Sequence, residues 1–157
     1  MILRLWSGVA EHWRLRRYEW VMGGGALAMA IALTVQPYMF DLGRHYATLD
    51  YWGEEWAFRL LFFVVAGFRL IALGINGTFA AFRYSPHLRV FAAVLGLFLW
   101  GTFCYSFIDS YSRTSWLGPG FETTLGAAVA YGIATAVEFN NIGTAARDLG
   151  RQVRAAE

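Results

Sequence analysis

The stretch LLFFVVAGFRLIALGING (Leu60–Gly77) is an apolar run with a single arginine, Arg69, near its middle. An apolar run of this length predicts a helix that crosses a membrane. A permanent positive charge inside hydrocarbon is costly, so such an arginine marks either a functional pathway or a buried partner. The partner of Arg69 is therefore the first question that the sequence raises.

The composition of the whole chain supports a membrane protein. Of the 157 residues, 57% are hydrophobic and only 15% are charged, well below the roughly 25% charged residues of soluble domains. The formal net charge of +2 is too small to indicate nucleic-acid binding. The bilayer itself is therefore the first expected partner.

Four apolar runs predict four transmembrane helices, and the last of them is the weakest because it carries several polar residues. The predicted spans cover about residues 20–38, 57–75, 90–108 and 121–142. Nine arginines lie near the chain ends or between the second and third runs, against two, Arg44 and Arg113, on the other side. By the positive-inside rule, this asymmetry predicts a multi-pass protein of the bacterial inner membrane with both termini in the cytoplasm.

The segment before the first span has an apolar stripe of its own. Ile2, Trp6, Val9 and Trp13 recur at helical spacing between arginines, a pattern that favours a helix lying on the membrane surface. The alternative is that this stripe packs on a neighbouring subunit. The predicted fold is thus an all-α, integral-membrane four-helix bundle with an N-terminal interfacial amphipathic helix.

The chain accordingly divides into three parts: the interfacial helix at residues 1–19, the membrane domain at 20–145 and a cytoplasmic tail at 146–157. Tryptophans are typical of the membrane–water boundary, and six are assigned to it: Trp6, Trp13, Trp20, Trp52, Trp56 and Trp116. The segment 41–56, between the first two spans, predicts a short helix and a turn.

The second and fourth spans run in the same direction, and each carries a charge at a similar distance from its cytoplasmic end. Arg69 and Glu138 therefore have matching depths, which predicts an intramembrane ion pair between the two helices. Asn140 and Asn141 follow Glu138 within a turn and can add hydrogen bonds. The pair favours a clasp between helices, and the alternative is the charged lining of a water-filled pathway.

Small residues at four-residue spacing in the fourth span predict close helix packing, because they let backbones approach in lipid. They form two ridges, one of Gly126, Ala130 and Ala134 and the other of Ala128, Gly132 and Ala136. The pattern does not say against which helix they pack.

No catalytic or metal-binding motif stands out in the sequence. His12, His45 and His87 are far apart, and no pair has metal-ligand spacing. The sequence has neither a phosphate-binding glycine loop nor a nucleophile elbow. We therefore expect a protein that is not an enzyme and needs no cofactor or metal.

Four short motifs suggest a family. They are RRYEW (Arg16–Trp20), GFRLIALGING (Gly67–Gly77), SPHLR (Ser85–Arg89) and AVEFNNIGTAARD (Ala136–Asp148). With this spacing the chain resembles small four-span membrane proteins of tailed-phage and prophage genomes, mostly of unassigned function.

The resemblance implies a holin-like protein, which accumulates in the host inner membrane, oligomerises and opens lesions that release or activate a lytic enzyme. Other such proteins exclude superinfecting phage or assist genome delivery from the virion. Holins more often have one to three spans, so four spans depart from that pattern.

Three functions are thus expected, in order. The first is a non-enzymatic, self-associating inner-membrane protein, a holin-like pore former that assembles as a homo-oligomer. The second is an accessory or scaffold subunit that docks on other membrane subunits of a larger complex. The third is a small channel or transporter in which Arg69 and Glu138 meet the solute.

Overall fold

A computed structural model describes residues 2–41, 46–78, 85–113 and 121–154, with the backbone alone at 2–15, 47, 75–78, 85, 113, 121–123 and 152. The described residues form no strand, which confirms the all-α class. Their five helices are α1 (Ile2–Val35), α2 (Ala47–Trp52), α3 (Glu55–Thr78), α4 (Ser85–Arg113) and α5 (Phe121–Arg154).

Three of these helices contain a segment that is long and apolar enough to cross a membrane. The segments are Arg16–Val35, Glu55–Gly74 and Pro86–Ser112, and they overlap the first three predicted spans. Such helices indicate a membrane protein. Helix α5 covers the fourth predicted span but is not among the three, because polar residues such as Glu138 and Asn141 lower its mean hydropathy.

Helix α1 joins the N-terminal segment to the first span through a kink. The backbone leaves helical geometry at Arg16, with φ −128° and ψ 24°, three residues before the predicted boundary at residue 19. The kink fits a change of helix direction at this boundary. The side chains of Trp6 and Trp13 lie outside the described residues, so the interfacial role of this segment remains a prediction.

The long helices pack in chain order, with α1 along α3, α3 against α4 and α4 most extensively against α5. Their shared core is aromatic, and Phe62 and Phe103 are fully buried at its centre. Trp100 packs edge-on against Phe62 at 5.2 Å between ring centroids and stacks on Tyr131 of α5 at 5.8 Å. Such pairs contribute about 0.5–1.5 kcal/mol each beyond burial, and they fill the space between the helices.

Helix α2, the short helix that segment 41–56 predicts, is fixed at the end of the bundle away from Arg16. Thr48 donates a hydrogen bond from Oγ1 to Oδ2 of Asp109 at 2.8 Å, which attaches α2 to α4. Glu55 Oε2 accepts a bond from the backbone N–H of Phe40 at 3.1 Å. Burial in the same region raises the pKa of Tyr46. Acidic residues at this end therefore hold the connection between α1 and α3 in place.

Candidate functional site

The first element of the candidate site is the inner ion pair, formed by Arg69 of α3 and Glu138 of α5. Arg69 donates from Nη1 to Oε1 and from Nη2 to Oε2 of Glu138, both at 2.6 Å. The side chains are 2% and 0% exposed. Asn141 adds a bond from Nδ2 to Oε2 at 3.1 Å, whereas Asn140 is exposed. Arg69 and Glu138, for which the sequence predicts the same depth in the membrane, therefore form a bidentate ion pair, the strongest geometry for arginine and carboxylate.

Glycines on the neighbouring helices make room for this pair. A Cβ atom at Gly96 of α4 would overlap Oε1 of Glu138 and lie 2.8 Å from its Cδ. A Cβ atom at Gly23 of α1 would lie 3.2 Å from Leu70 Cδ2 and 3.4 Å from Arg69 Cδ. The carboxylate of Glu138 thus occupies the place of a side chain at residue 96, a requirement for glycine that no sequence pattern indicates.

The second element is a network of charges at one end of the bundle, here called the end network: Arg16 and Glu19 of α1, Arg89 of α4 and Asp148 of α5. Arg89 is 4% exposed and lies at its centre. It donates to both carboxylate oxygens of Glu19, from Nε at 2.7 Å and from Nη2 at 2.5 Å. Its Nη1 donates to Asp148 at 2.8 Å. One guanidinium therefore joins three helices.

The end network is not evident from the sequence, because membrane topology alone accounts for the positions of Arg16 and Arg89. A signal was nonetheless present in the four motifs that carry the family resemblance. RRYEW contains Arg16 and Glu19, SPHLR contains Arg89, and AVEFNNIGTAARD contains both Glu138 and Asp148. The structure brings Arg16, Glu19, Arg89 and Asp148 together in the end network and joins Glu138 to Arg69, whereas Arg17 and Arg147 of the same motifs are exposed.

A cavity of about 350 Å³ lies between the end network and the residues that follow Glu138 on α5. We call it the end cavity. The residues that line it are all polar or charged, namely Arg16, Tyr18, Glu19, Arg89, Asn140, Asn141, Thr144, Asp148 and Arg151. The cavity therefore collects charged and hydrogen-bonding groups of α1, α4 and α5 at one place.

The small residues of α5 divide into two groups. Ala128 is buried, and its carbonyl accepts a hydrogen bond from Cys104 Sγ of α4 at 3.4 Å. A Cβ atom at Gly132 would lie 3.5 Å from the same sulfur, and Ala134 packs against the aromatic core. In contrast, Gly126, Ala130 and Ala136 are exposed. These three residues do not pack within the chain, because α4 covers only one face of α5. Their packing against another helix stays a prediction.

The tryptophans assigned to the membrane boundary are only partly described. Trp52 and Trp56 are exposed near the start of α3, and Trp20 is half-buried in α1. The side chains of Trp6 and Trp13 and the whole of Trp116 lie outside the described residues. Exposed indoles beside the start of an apolar helix suit the boundary between lipid and water.

The chemistry that this arrangement supports is electrostatic attachment of helices. Both oxygens of Glu138 and of Glu19 are engaged by arginine. Across the described part of the chain, no group of three histidine, cysteine, aspartate or glutamate side chains is placed to hold a metal ion. Paired and saturated charges of this kind fix the register of neighbouring helices.

Replacing Arg89 by glutamine is expected to lower the free energy of unfolding in detergent by about 1–2 kcal/mol, because Glu19 stays buried without its charged partner. The effect is limited because Asp148 is partly exposed and Arg16 remains nearby. Chemical unfolding followed by circular dichroism measures it.

The matched control is Arg147→Gln, which removes the same charge from an exposed position of α5. Equal stability losses in the two variants would contradict a central role for Arg89.

Comparison with known protein families, with curated proteins and with solved structures finds no match for the chain. The resemblance to phage and prophage membrane proteins therefore remains a prediction. The fold and the site define a helical membrane protein whose long helices are joined by buried ion pairs.

Proposed function

We propose that the protein is a non-enzymatic, four-pass inner-membrane protein that associates with copies of itself in the bilayer. The observation that carries this proposal is the division of polar and apolar groups between the inside and the outside of the bundle. Arg69, Glu138 and Arg89 are buried in ion pairs, whereas the outward faces of the helices are rich in exposed apolar side chains.

This division supports α5 as the fourth crossing. Glu138 and Asn141, which lower its hydropathy, point into the protein and away from lipid. Large apolar side chains point outward along the same helix, namely Leu125, Val129, Ile133 and Phe139. Residues 121–139 would span about 28 Å as a helix, close to the roughly 30 Å of hydrocarbon. Four crossings place both termini on one side, in the cytoplasm by the arginine distribution.

Self-association is supported by the small residues that remain uncovered on α5. Gly126 and Ala130 are exposed at four-residue spacing, with Val129 and Ile133 exposed beside them. In lipid, such a face allows the backbone of a second helix to approach closely. A second copy of this chain offers the same face, so a symmetric contact through α5 can form.

Holin-like lesion formation is the activity we assign to the assembled protein. The aromatic core around Phe62, Trp100 and Phe103 fills the space between the helices of one chain, which argues against a channel through a single chain. A lesion would instead form between chains, after enough copies have gathered.

Replacing Ala130 by leucine is expected to weaken dimer formation about tenfold, which corresponds to about 1.4 kcal/mol, because the larger side chain keeps the two helix backbones from approaching closely. Cross-linking in membranes, followed by gel separation of monomer and oligomer, measures the change. Ala146→Leu, at an exposed α5 position beyond the predicted span, is the control and should leave the dimer intact. An unchanged dimer in Ala130→Leu would contradict association through this face.

Membrane potential and viability, followed over time after induced expression in bacteria, test the lesion. We expect an abrupt loss of potential after a delay, and no such loss with an equally inserted Ala130→Leu variant. A normal potential despite verified insertion would overturn the holin-like activity but not self-association.

A second candidate is an accessory subunit of a larger membrane complex, and one observation favours it. Phe68 of α3 and Phe91 of α4 form an edge-to-face pair at 5.5 Å and are both exposed. An aromatic face across two helices is suited to docking on another membrane subunit. Co-purification of one stoichiometric partner from the native host would favour this function over self-association.

A further inference from the structure

The end cavity lies where two apolar helices begin. Arg16 is the first residue of the apolar segment of α1, and Pro86, which begins the apolar segment of α4, precedes Arg89 by less than one turn. Side chains at the ends of membrane-crossing segments are level with lipid headgroups. The volume of about 350 Å³ is at the lower end of the range for small-ligand sites.

Arg16 is the member of the end network with unused hydrogen-bonding capacity. Its Nη1 is buried and has no hydrogen-bond partner. Its nearest carboxylate oxygens are distant, at 3.9 Å on Glu19 and 3.5 Å on Asp148, because Arg89 holds both groups more closely. A buried guanidinium N–H without an acceptor is costly, so this geometry favours an added anion.

The charge of the cavity indicates what kind of anion fits. Three arginines, Arg16, Arg89 and Arg151, and two carboxylates, Glu19 and Asp148, line it, so three positive minus two negative charges leave a net charge of +1. One negative charge neutralises this set, whereas a dianion would leave a net charge of −1 beside two carboxylates.

We propose that the end cavity binds a singly charged phosphate group, held by Arg16 with Arg151 and the Asn140 amide at its rim. Arginine is suited to this task because its planar fork of N–H donors matches phosphate oxygens. At headgroup level, the phosphodiester of an anionic phospholipid is the first source of such a group. The monoanion of soluble phosphate carries the same charge and is the second source. The inference does not depend on self-association.

The test uses the full chain purified in a neutral detergent, after removal of bound lipid. Phosphatidylglycerol, phosphatidylcholine and inorganic phosphate are added separately, with sodium chloride matched for ionic strength. Native mass spectrometry counts bound lipid, and the midpoint of thermal unfolding reports binding of each probe. The variants are Arg16→Gln and, as a matched control with the same loss of charge, Arg17→Gln, whose arginine is exposed and does not line the cavity.

We expect phosphatidylglycerol to bind the wild-type protein and Arg17→Gln, and to bind Arg16→Gln about tenfold more weakly, the scale of one hydrogen-bonded charged contact. Binding of inorganic phosphate alone, with the same dependence on Arg16, would support the phosphate site and assign it to a soluble ligand. Equal weakening in both variants would show general attraction to positive charge and overturn the proposal. So would an absence of binding to the wild-type protein.

The Arg151→Gln variant keeps the test decisive if Arg16→Gln does not fold. Arg151 is exposed at the rim of the cavity, so its removal should leave the fold intact. We expect it to weaken phosphatidylglycerol binding, and unchanged binding in a folded Arg151→Gln protein would overturn the proposal.

Discussion

Replacing Arg69 by leucine is expected to lower the free energy of unfolding by about 3–5 kcal/mol, because it leaves the fully buried carboxylate of Glu138 without its counter-charge. The variant is less stable because it loses two charge-assisted hydrogen bonds of 2.6 Å. The loss of stability is large because the Glu138 carboxylate stays buried away from water. Unfolding in detergent with increasing sodium dodecyl sulfate, followed by circular dichroism, measures the loss.

The double variant Arg69→Leu/Glu138→Leu separates a clasp from a conducting role. For a clasp, the double variant should be more stable than Arg69→Leu alone, since no isolated charge remains. Additive losses in the two single variants and the double variant would show that the residues are not coupled. Arg59→Leu removes a half-buried arginine near the other end of α3 and serves as the control.

Replacing Gly96 by alanine is expected to destabilise the protein by about 1–3 kcal/mol, because the added methyl group overlaps the Glu138 carboxylate and forces α4 and α5 apart. The loss should be seen although alanine favours a helix over glycine by about 1 kcal/mol. Thermal unfolding of the detergent-solubilised protein measures it.

Gly101→Ala on the same helix is the matched control. A Cβ atom there would lie 3.8 Å from Thr135 Cγ2, an ordinary contact, so the higher helix propensity of alanine should leave the stability equal or slightly greater. If both substitutions were harmless, the inner ion pair would not need the space at Gly96. A further test combines Gly96→Ala with Arg69→Leu. The double variant should lose less stability than the sum of the two single losses, because both substitutions disrupt the same ion pair.

The sequence predicts the inner ion pair because a charged side chain in hydrocarbon needs a partner of opposite charge or contact with water. Arg69 lies in the middle of an apolar run, where it needs a partner of opposite charge at its own depth. Glu138 is the acid that satisfies this condition. The apolar runs also identify three membrane-length helices, since chain length and hydropathy decide that property directly.

The end network could not be predicted in the same way. Arg89 and Glu19 lie near the ends of apolar runs, where water can solvate a charge and no partner is required. The membrane-topology rule accounts for the same arginines without any contact between them. Which charges meet there depends on the order in which helices pack, and that order is not encoded by spacing along one chain.

Helical spacing also fails to choose between faces of one helix. Gly126 and Ala128 belong to ridges of the same composition on α5, yet one is exposed and the other is buried against α4. Gly96 carries no signal in the sequence, because its importance comes from a side chain on another helix. These positions depend on tertiary packing, which local pattern cannot supply.

Helix α5 is attached to its neighbours at two separate heights. Glu138 joins it to α3 and Asp148 joins it to α4, and their separation of ten positions corresponds to about 15 Å along the helix axis. With one ion pair, α5 could tilt about that contact. Two ion pairs at different heights restrict the tilt of α5 relative to its neighbours. The 34 residues of α5 extend over about 51 Å, which exceeds the roughly 30 Å thickness of the hydrocarbon of a bilayer. A fluorophore placed near Arg154 would therefore report a small change in the tilt of α5 as a larger displacement at the C-terminal end of the helix.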